Sequence, residues 1–197
     1  MLILSFLNIE AQSFYKRFSN QGFTPYSYYS KNKKLIYPTV DNGFIFTGYD
    51  NNGNANVTKL TPMGCVEWTR SYIFSASSVG SLVYQLQDGN FILGVGISGV
   101  GAAILKIDQI GNVLWGKLFI GIYPPTDIAE SGNNLVLVNG ALSGIGQNNT
   151  NHIIFLAQNN GNIISCREIN RISSGPGDIY VGCHLYRVIA PSIGGYY

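Results

Sequence analysis

The chain has 197 residues, 11% of them charged and 13% aromatic, with 24 glycines and a formal net charge of +2. That length can bury a sizeable core, and the composition suits an all-β protein rich in turns rather than one with exposed helices. No basic run exceeds Lys31-Asn32-Lys33-Lys34, so a nucleic-acid footprint is not supported, and no apolar run reaches the ~18 residues of a membrane-spanning helix.

In chain order, Met1-Leu2-Ile3-Leu4-Ser5-Phe6-Leu7 followed by Ile9-Glu10-Ala11 resembles the apolar region and cleavage site of a secretory signal. It lacks a basic start, so residues 1–11 are expected to be a truncated signal peptide, with an ordinary strand as the alternative. Ser13-Phe14-Tyr15-Lys16-Arg17-Phe18 reads as a lone outer strand over residues 12–18.

Beyond it the chain repeats. Asp41-Asn42-Gly43-Phe44-Ile45-Phe46 returns as Asp88-Gly89-Asn90-Phe91-Ile92-Leu93 and, more loosely, as Ser131-Gly132-Asn133-Asn134-Leu135-Val136. A second anchor, Lys59-Leu60-Thr61-Pro62-Met63-Gly64-Cys65-Val66-Glu67-Trp68, returns as Lys106 to Trp115. Its third copy is Leu156 to Ser165, in which Leu156 is read in place of the Lys and Ser165 in place of the Trp. Each unit reads as four short strands, A to D, bounded by Gly, Asn or Asp turns. The first is Leu35–Val40, Phe44–Tyr49, Asn56–Thr61 and Val66–Ile73. The second is Ser81–Gln87, Phe91–Ile97, Ala102–Asp108 and Asn112–Phe119. The third is Asp127–Glu130, Leu135–Asn139, His152–Ala157 and Ile163–Ile169. Four antiparallel strands at this period are the unit of a β-propeller blade; an open solenoid or stacked sheet array is the alternative. The expected organisation over 12–197 is blade 1 at 35–73, blade 2 at 81–119, blade 3 at 127–169 and the start of a fourth at 184–197. Three whole blades do not close a ring, so the chain is expected to be a fragment of a larger one. A small four-blade ring, its last blade completed by the N-terminal strand, is the other arrangement. Trp68 and Trp115, on strand D, are expected to fill the space between neighbouring blades.

These motifs resemble the Asp-Gly-Gly-(Tyr/Phe)-Ile … Lys-(Leu/Ile)-Asp-x-x-Gly-Asn-x-x-Trp unit of large exported bacterial propellers, often cell-surface proteins of the type IX secretion route. The match lies at Asp41–Gly48, Lys59–Trp68, Asp88–Ile97 and Lys106–Trp115. They are more distantly similar to quinoprotein propeller repeats, whose Leu-Asp-x-x-Thr-Gly-x-x-x-Trp is echoed by Ile107-Asp108-Gln109-Ile110-Gly111 and Trp115. The resemblance implies a blade and a secreted or cell-surface location. No quinone-binding or metal-ligating residue of those dehydrogenases can be placed here, and no cofactor is expected.

Strand parity puts A–B and C–D turns at one end of every blade and B–C and D–A connections at the other. The connections that vary in length are Ser19–Lys34, Asp50–Ala55, Ser143–Asn151 and Asn170–Gly182, all at the second end, where a scaffold would present binding loops. Within them Tyr26, Tyr28 and Tyr29 are the candidate contacts for a protein or glycan, because tyrosine offers broad apolar area with a polar tip. Asp50, Asn52 and Asn54 echo half of a calcium loop, but Ala55 and Thr61 stand where that loop needs Gly and a bidentate acid. The connection is therefore read as a plain turn.

Enzyme chemistry finds little footing. His152 and His184 open strands, and neither a nucleophile elbow nor a phosphate loop occurs. Asp127 and Glu130 differ by an odd number on one strand, so they point to opposite faces. Cys166 is expected on a buried strand face; it and Cys183 flank a loop and are a candidate disulfide, with free thiols the preferred reading. The triplets Asn56-Val57-Thr58 and Asn148-Asn149-Thr150 match the glycosylation pattern. The function expected is a non-enzymatic exported scaffold; a propeller enzyme whose catalytic residues lie outside this chain, or a spacer without a ligand, is the alternative.

Overall fold

The computed structural model describes residues 35–139 and 151–169. They form twelve strands: β1 (Ile36–Pro38), β2 (Phe44–Tyr49), β3 (Ala55–Leu60), β4 (Val66–Tyr72), β5 (Ser78–Gln85), β6 (Phe91–Ile97), β7 (Gly101–Ile107), β8 (Val113–Ile120), β9 (Pro125–Ser131), β10 (Asn134–Asn139), β11 (Asn151–Ala157) and β12 (Ile163–Ile169). These pair in chain order into three four-stranded antiparallel sheets, with no helix among the described residues. The all-β expectation and the four-strand unit therefore hold. The second-strand bounds Phe44–Tyr49 and Phe91–Ile97 match the sequence reading; the inner strands begin and end earlier than expected in the second unit, at Ser78 and Gln85.

The turns explain those ends. In five hairpins the same hydrogen-bond pair recurs: the N–H of the first turn residue donates to the carbonyl four positions on, and the N–H of the fourth donates back to the first. They are Thr39–Gly43, Asp50–Asn54, Thr61–Cys65, Leu86–Asn90 and Asp108–Asn112. The fourth residue is left-handed each time: Asn42, Gly53, Gly64, Gly89 and Gly111. This is a tight turn followed by a left-handed bulge residue. It draws Leu86 and Gln87 out of the inner strand.

A second irregularity also recurs. Between the third and fourth strands the register slips at Lys59/Leu60, Lys106/Ile107 and Phe155/Leu156. One extra residue on the outer strand, Glu67, Leu114 or Ile164, makes a bulge. This common mark corrects the third unit of the sequence repeat by one position. Ser165 does stand in the Trp register, but it faces Phe155, as Trp115 faces Lys106. Phe155, not Leu156, therefore replaces the Lys. The physical reason is an exchange of turn lengths: the last turn gains a residue, running from Ala157 N to Asn162 O, while Ser131 and Asn134 close the first turn one residue shorter.

The sheets pack face to face. Ile45, Val57 and Tyr72 of the first meet Val83, Phe91, Leu93 and Ile107 of the second. Leu82, Ile92, Ile104 and Phe119 of the second meet Ile128, Leu135, Leu137 and Leu156 of the third. The spacing tapers. Near the inner strands there is room only for hydrogen: a Cβ on Gly80 would collide with Thr47, and one on Gly94 would lie 2.8 Å from Pro125. At the outer strands Trp68 and Trp115 fill the gap.

Cys166 lies on the outermost strand and is exposed, not buried as the sequence reading had it. Its register position is that of Thr69 and Gly116, on the side of the outer strand that the taper leaves open. Cys183 lies outside the described residues, as do residues 1–34, 170–197 and the expected elements at 12–18 and 184–197.

Candidate binding face

The antiparallel order places the turns 39–43, 61–65, 86–90, 108–112 and 132–133 at one end of the sheets. The connections 50–54, 73–77, 98–100 and 121–124 lie at the other, as strand parity predicts. Of the four variable connections, only Asp50–Ala55 is described in full; Tyr26, Tyr28 and Tyr29 lie outside the described residues.

The described part of this end is built as a rigid base. Asp50 Oδ1 accepts the N–H groups of Asn52 and Asn54, both at 2.9 Å, and Oδ2 accepts the Asn54 amide at 3.3 Å. Burial would raise this carboxyl, but the Asn54 N–H, the Ser71 hydroxyl, the Asn54 amide and the Asn52 N–H lower it below the ordinary range. Its oxygens are turned onto the chain's own N–H groups, as a structural turn requires. Asp108 does the same at the opposite end, accepting from Ile110 N, Asn112 N and the Asn112 amide. Both stretches read Asp-x-x-Gly-Asn in the sequence, a signal for the turn that the calcium comparison passed over. The connections are also tied together: Ser78 N–H donates to Gly53 O at 2.8 Å, Ala55 N–H to Ser78 Oγ at 2.9 Å, and Ser98 N–H to Ser77 O at 2.9 Å. Tyr123 and Ile73 stand exposed here.

The opposite end carries a charge network that sequence reasoning missed. Lys59 is almost fully buried, and its Nζ donates to Asp41 Oδ2 at 2.6 Å, Glu67 Oε2 at 3.1 Å and Leu60 O at 3.1 Å. Lys106 repeats the pairing with Asp88 Oδ2 at 2.7 Å and reaches Gln158 O at 3.5 Å. The signal was the constant spacing of 18 residues between acid and lysine in both units. Burial pushes Asp41 up, but Lys59, Thr39 and the Gly43 N–H outweigh it and bring the carboxyl to about 2. The third unit drops both partners together, with Phe155 at the lysine position and a turn that has no acid.

Two further bonds join each sheet to the next. The Trp68 indole donates to Gln109 O at 2.9 Å, and Trp115 donates to Gln158 O at 3.0 Å. In the other direction, Gln85 Oε1 accepts Val40 N–H at 2.8 Å, and Glu130 Oε2, in the matching register, accepts Gln87 N–H at 2.9 Å. Glu130 Oε1 also accepts the Gln158 amide at 2.8 Å. Glu130 thus faces the second sheet, while Asp127, buried and accepting Ile128 N–H, lies on the other face. The parity argument against a carboxylate pair holds.

Tyr37 and Tyr84, at matching positions on neighbouring inner strands, lie with ring centroids 5.0 Å apart. Burial, with Tyr37 and Glu130 adding to it, pushes the Tyr84 phenol up to about 12. Asn56 of the first glycosylation triplet is buried in β3 and donates to Ser71 Oγ at 3.2 Å, so it is inaccessible in the folded chain. His152 is the second residue of β11, in register with Glu168. Among the described residues, no group of three His, Cys, Asp or Glu side chains is placed to hold a metal ion. No helix among them is long and apolar enough to cross a membrane.

These features define an all-β protein of repeated, face-packed four-stranded sheets. No family model matches the chain, and no curated protein matches it. Among solved structures, it is similar to a protein of unknown function from Bacteroides caccae, at 18% identity over 78% of this chain with a TM-score of 0.49. The chain spans 47% of that protein's length.

Proposed function

We infer that the three sheets are blades of a β-propeller that serves as a non-enzymatic exported scaffold, binding a protein or glycan through the end formed by the B–C and D–A connections. The observation that carries this reading is the contrast between the two ends. One is closed by the same five-residue turns in the first two units and by the same inter-sheet bonds between successive sheets. The other holds the connections that differ in length. A rigid base with variable loops is the usual design of a binding face. The taper, with glycine at the inner strands and tryptophan at the outer ones, supports a radial arrangement over a stack of parallel sheets. Export and a surface location rest on the apolar N-terminus and on the resemblance of the repeat to exported propellers.

A glycan array and a surface-protein panel probed with the whole chain test the binding role. Binding that is lost in the Tyr26→Ala/Tyr28→Ala/Tyr29→Ala variant supports it; silence on both supports a spacer. Turnover of esters, sugars or alcohols by this chain would contradict the non-enzymatic reading.

A further inference from the structure

Each sheet presents a forward face to the one that follows. Where the first sheet has Ile45 and Val57, the second has Ile92 and Ile104 and the third has Val136 and Ile153. In the first two sheets these residues pack into the core shared with the next sheet. The third sheet is the last one described, yet on its forward face Val136 and Val138 are each 1% exposed and Ala129 is 5% exposed. Phe155, in the place of the buried lysines, adds to the apolar surface there. A sheet face of this kind is buried against another layer.

The contact between sheets follows a size rule. Thr47 of β2 meets Gly80 of β5, where a Cβ would collide with it. Gly94 of β6, at the register position of Thr47, meets Pro125 of β9, at the position of Gly80. Each interface therefore pairs one glycine with one larger residue, as close packing demands. Val138 holds that position in the third sheet, so the strand that covers it needs a glycine. The next residue of each inner strand, Ser81 or Thr126, is skipped by the register as a bulge. Beyond it Val83 and Ile128 join the core shared with the preceding sheet.

One stretch outside the described residues repeats this pattern. Val181-Gly182-Cys183-His184-Leu185-Tyr186-Arg187-Val188 aligns without a gap on Val79-Gly80-Ser81-Leu82-Val83-Tyr84-Gln85-Leu86. Gly182 falls at Gly80, the small Cys183 at the bulge, and Leu185 at Val83. Arg187 departs from the pattern, a donor where Gln85 and Glu130 accept, and the turn those two accept from is shorter in the third sheet. The connection 170–180 is longer than 73–77 and 121–124, which make the same step between sheets, so it has the reach.

We propose that residues 181–188 of this chain cover the forward face of the third sheet as the inner strand of a fourth, with Gly182 against Val138 and Leu185 over Val136. The strand starts ahead of the expected position 184. A double-mutant cycle on the whole chain, read by urea denaturation, tests it. Gly182→Val overfills the contact and Val138→Gly empties it, so each lowers the midpoint. Together they place the bulk on the following strand, as Pro125 does over Gly94. The pair is expected to recover at least about tenfold in the unfolding equilibrium over the product of the single effects. Multiplicative losses, or a Gly182→Val midpoint equal to the wild type, overturn the proposal. Disulfide trapping decides the matter where a size variant fails to fold. In a Cys65→Ser/Cys166→Ser/Cys183→Ser background, Val138→Cys/Gly182→Cys is expected to cross-link within one chain on mild oxidation, because the equivalent positions 47 and 80 touch. A cross-link between two chains, which a second copy on this face would give, overturns the proposal. So does the absence of any cross-link, which residues 12–18 or a different polypeptide on this face would give.

Discussion

Gly161 shows what a single hydrogen atom does in this protein. It has φ 67°, and a Cβ there would lie 2.6 Å from the Trp115 ring. Gly132 has a similar φ of 56° but nothing within 4 Å. Gly132→Ala should therefore cost only the left-handed backbone penalty, about 1 kcal/mol. Gly161→Ala should cost about 2–4 kcal/mol, because the ring must also shift. Urea denaturation of the two variants checks the difference. The buried lysines make a second residue-scale test. Asp88→Ala leaves Lys106 with a single carbonyl at 3.5 Å, whereas Asp41→Ala leaves Lys59 with Glu67 and Leu60 O. The first change should cost about 3 kcal/mol and the second clearly less. Adding Lys106→Met to Asp88→Ala should restore part of the loss, since it removes the uncompensated charge. Asp41 also sets a pH dependence. Its folded carboxyl is depressed from 3.8 to about 2, so its contribution is fully present above pH ~4 and is lost as pH falls through 2. Asp41→Asn should flatten that share of the acid unfolding curve followed by tryptophan fluorescence.

At the scale of the strand and turn, the outer strand carries the inter-sheet contact. Trp68→Phe keeps the ring at the Phe91 contact, where centroids are 6.4 Å apart, but deletes the bond to Gln109 O. It should cost about 1 kcal/mol, measured by thermal or urea unfolding. Much of this element structure was legible in the sequence, because turns of the form Asp-Gly-Asn or Asp-x-x-Gly-Asn require a left-handed residue and so mark strand ends. Phe44–Tyr49 and Phe91–Ile97 match their sequence bounds for that reason, and Ile163–Ile169 matches through Asn160-Gly161-Asn162, whose Gly161 is left-handed. The third unit was misaligned at Phe155 because one turn lost a residue and another gained one, an exchange that preserves overall spacing and leaves no trace in it. The lysine network was written in the 18-residue spacing, yet burial of a lysine runs against composition and shows only once the sheets are packed. The exposure of Cys166 depends on the widening of the gap at the outer strands, which is a property of three sheets together. Of the candidate site, the sequence located the end of the sheets that bears variable loops but not the rigidity of its base.

Across the whole molecule, one inter-sheet interface is used twice. The same indole-to-carbonyl bond, the same side-chain acceptor at Gln85 and Glu130, and the same glycine pressed on tryptophan join the first sheet to the second and the second to the third. A repeated interface of this kind is what the proposed propeller requires of neighbouring blades. A crystal structure of this protein tests the central claim most directly, through the separations between neighbouring sheets. The account predicts that β1, β5 and β9 converge while β4, β8 and β12 splay apart, with the two indoles in the widening gap. Equal spacing at the inner and outer strands, as in a stack of parallel sheets, would contradict it.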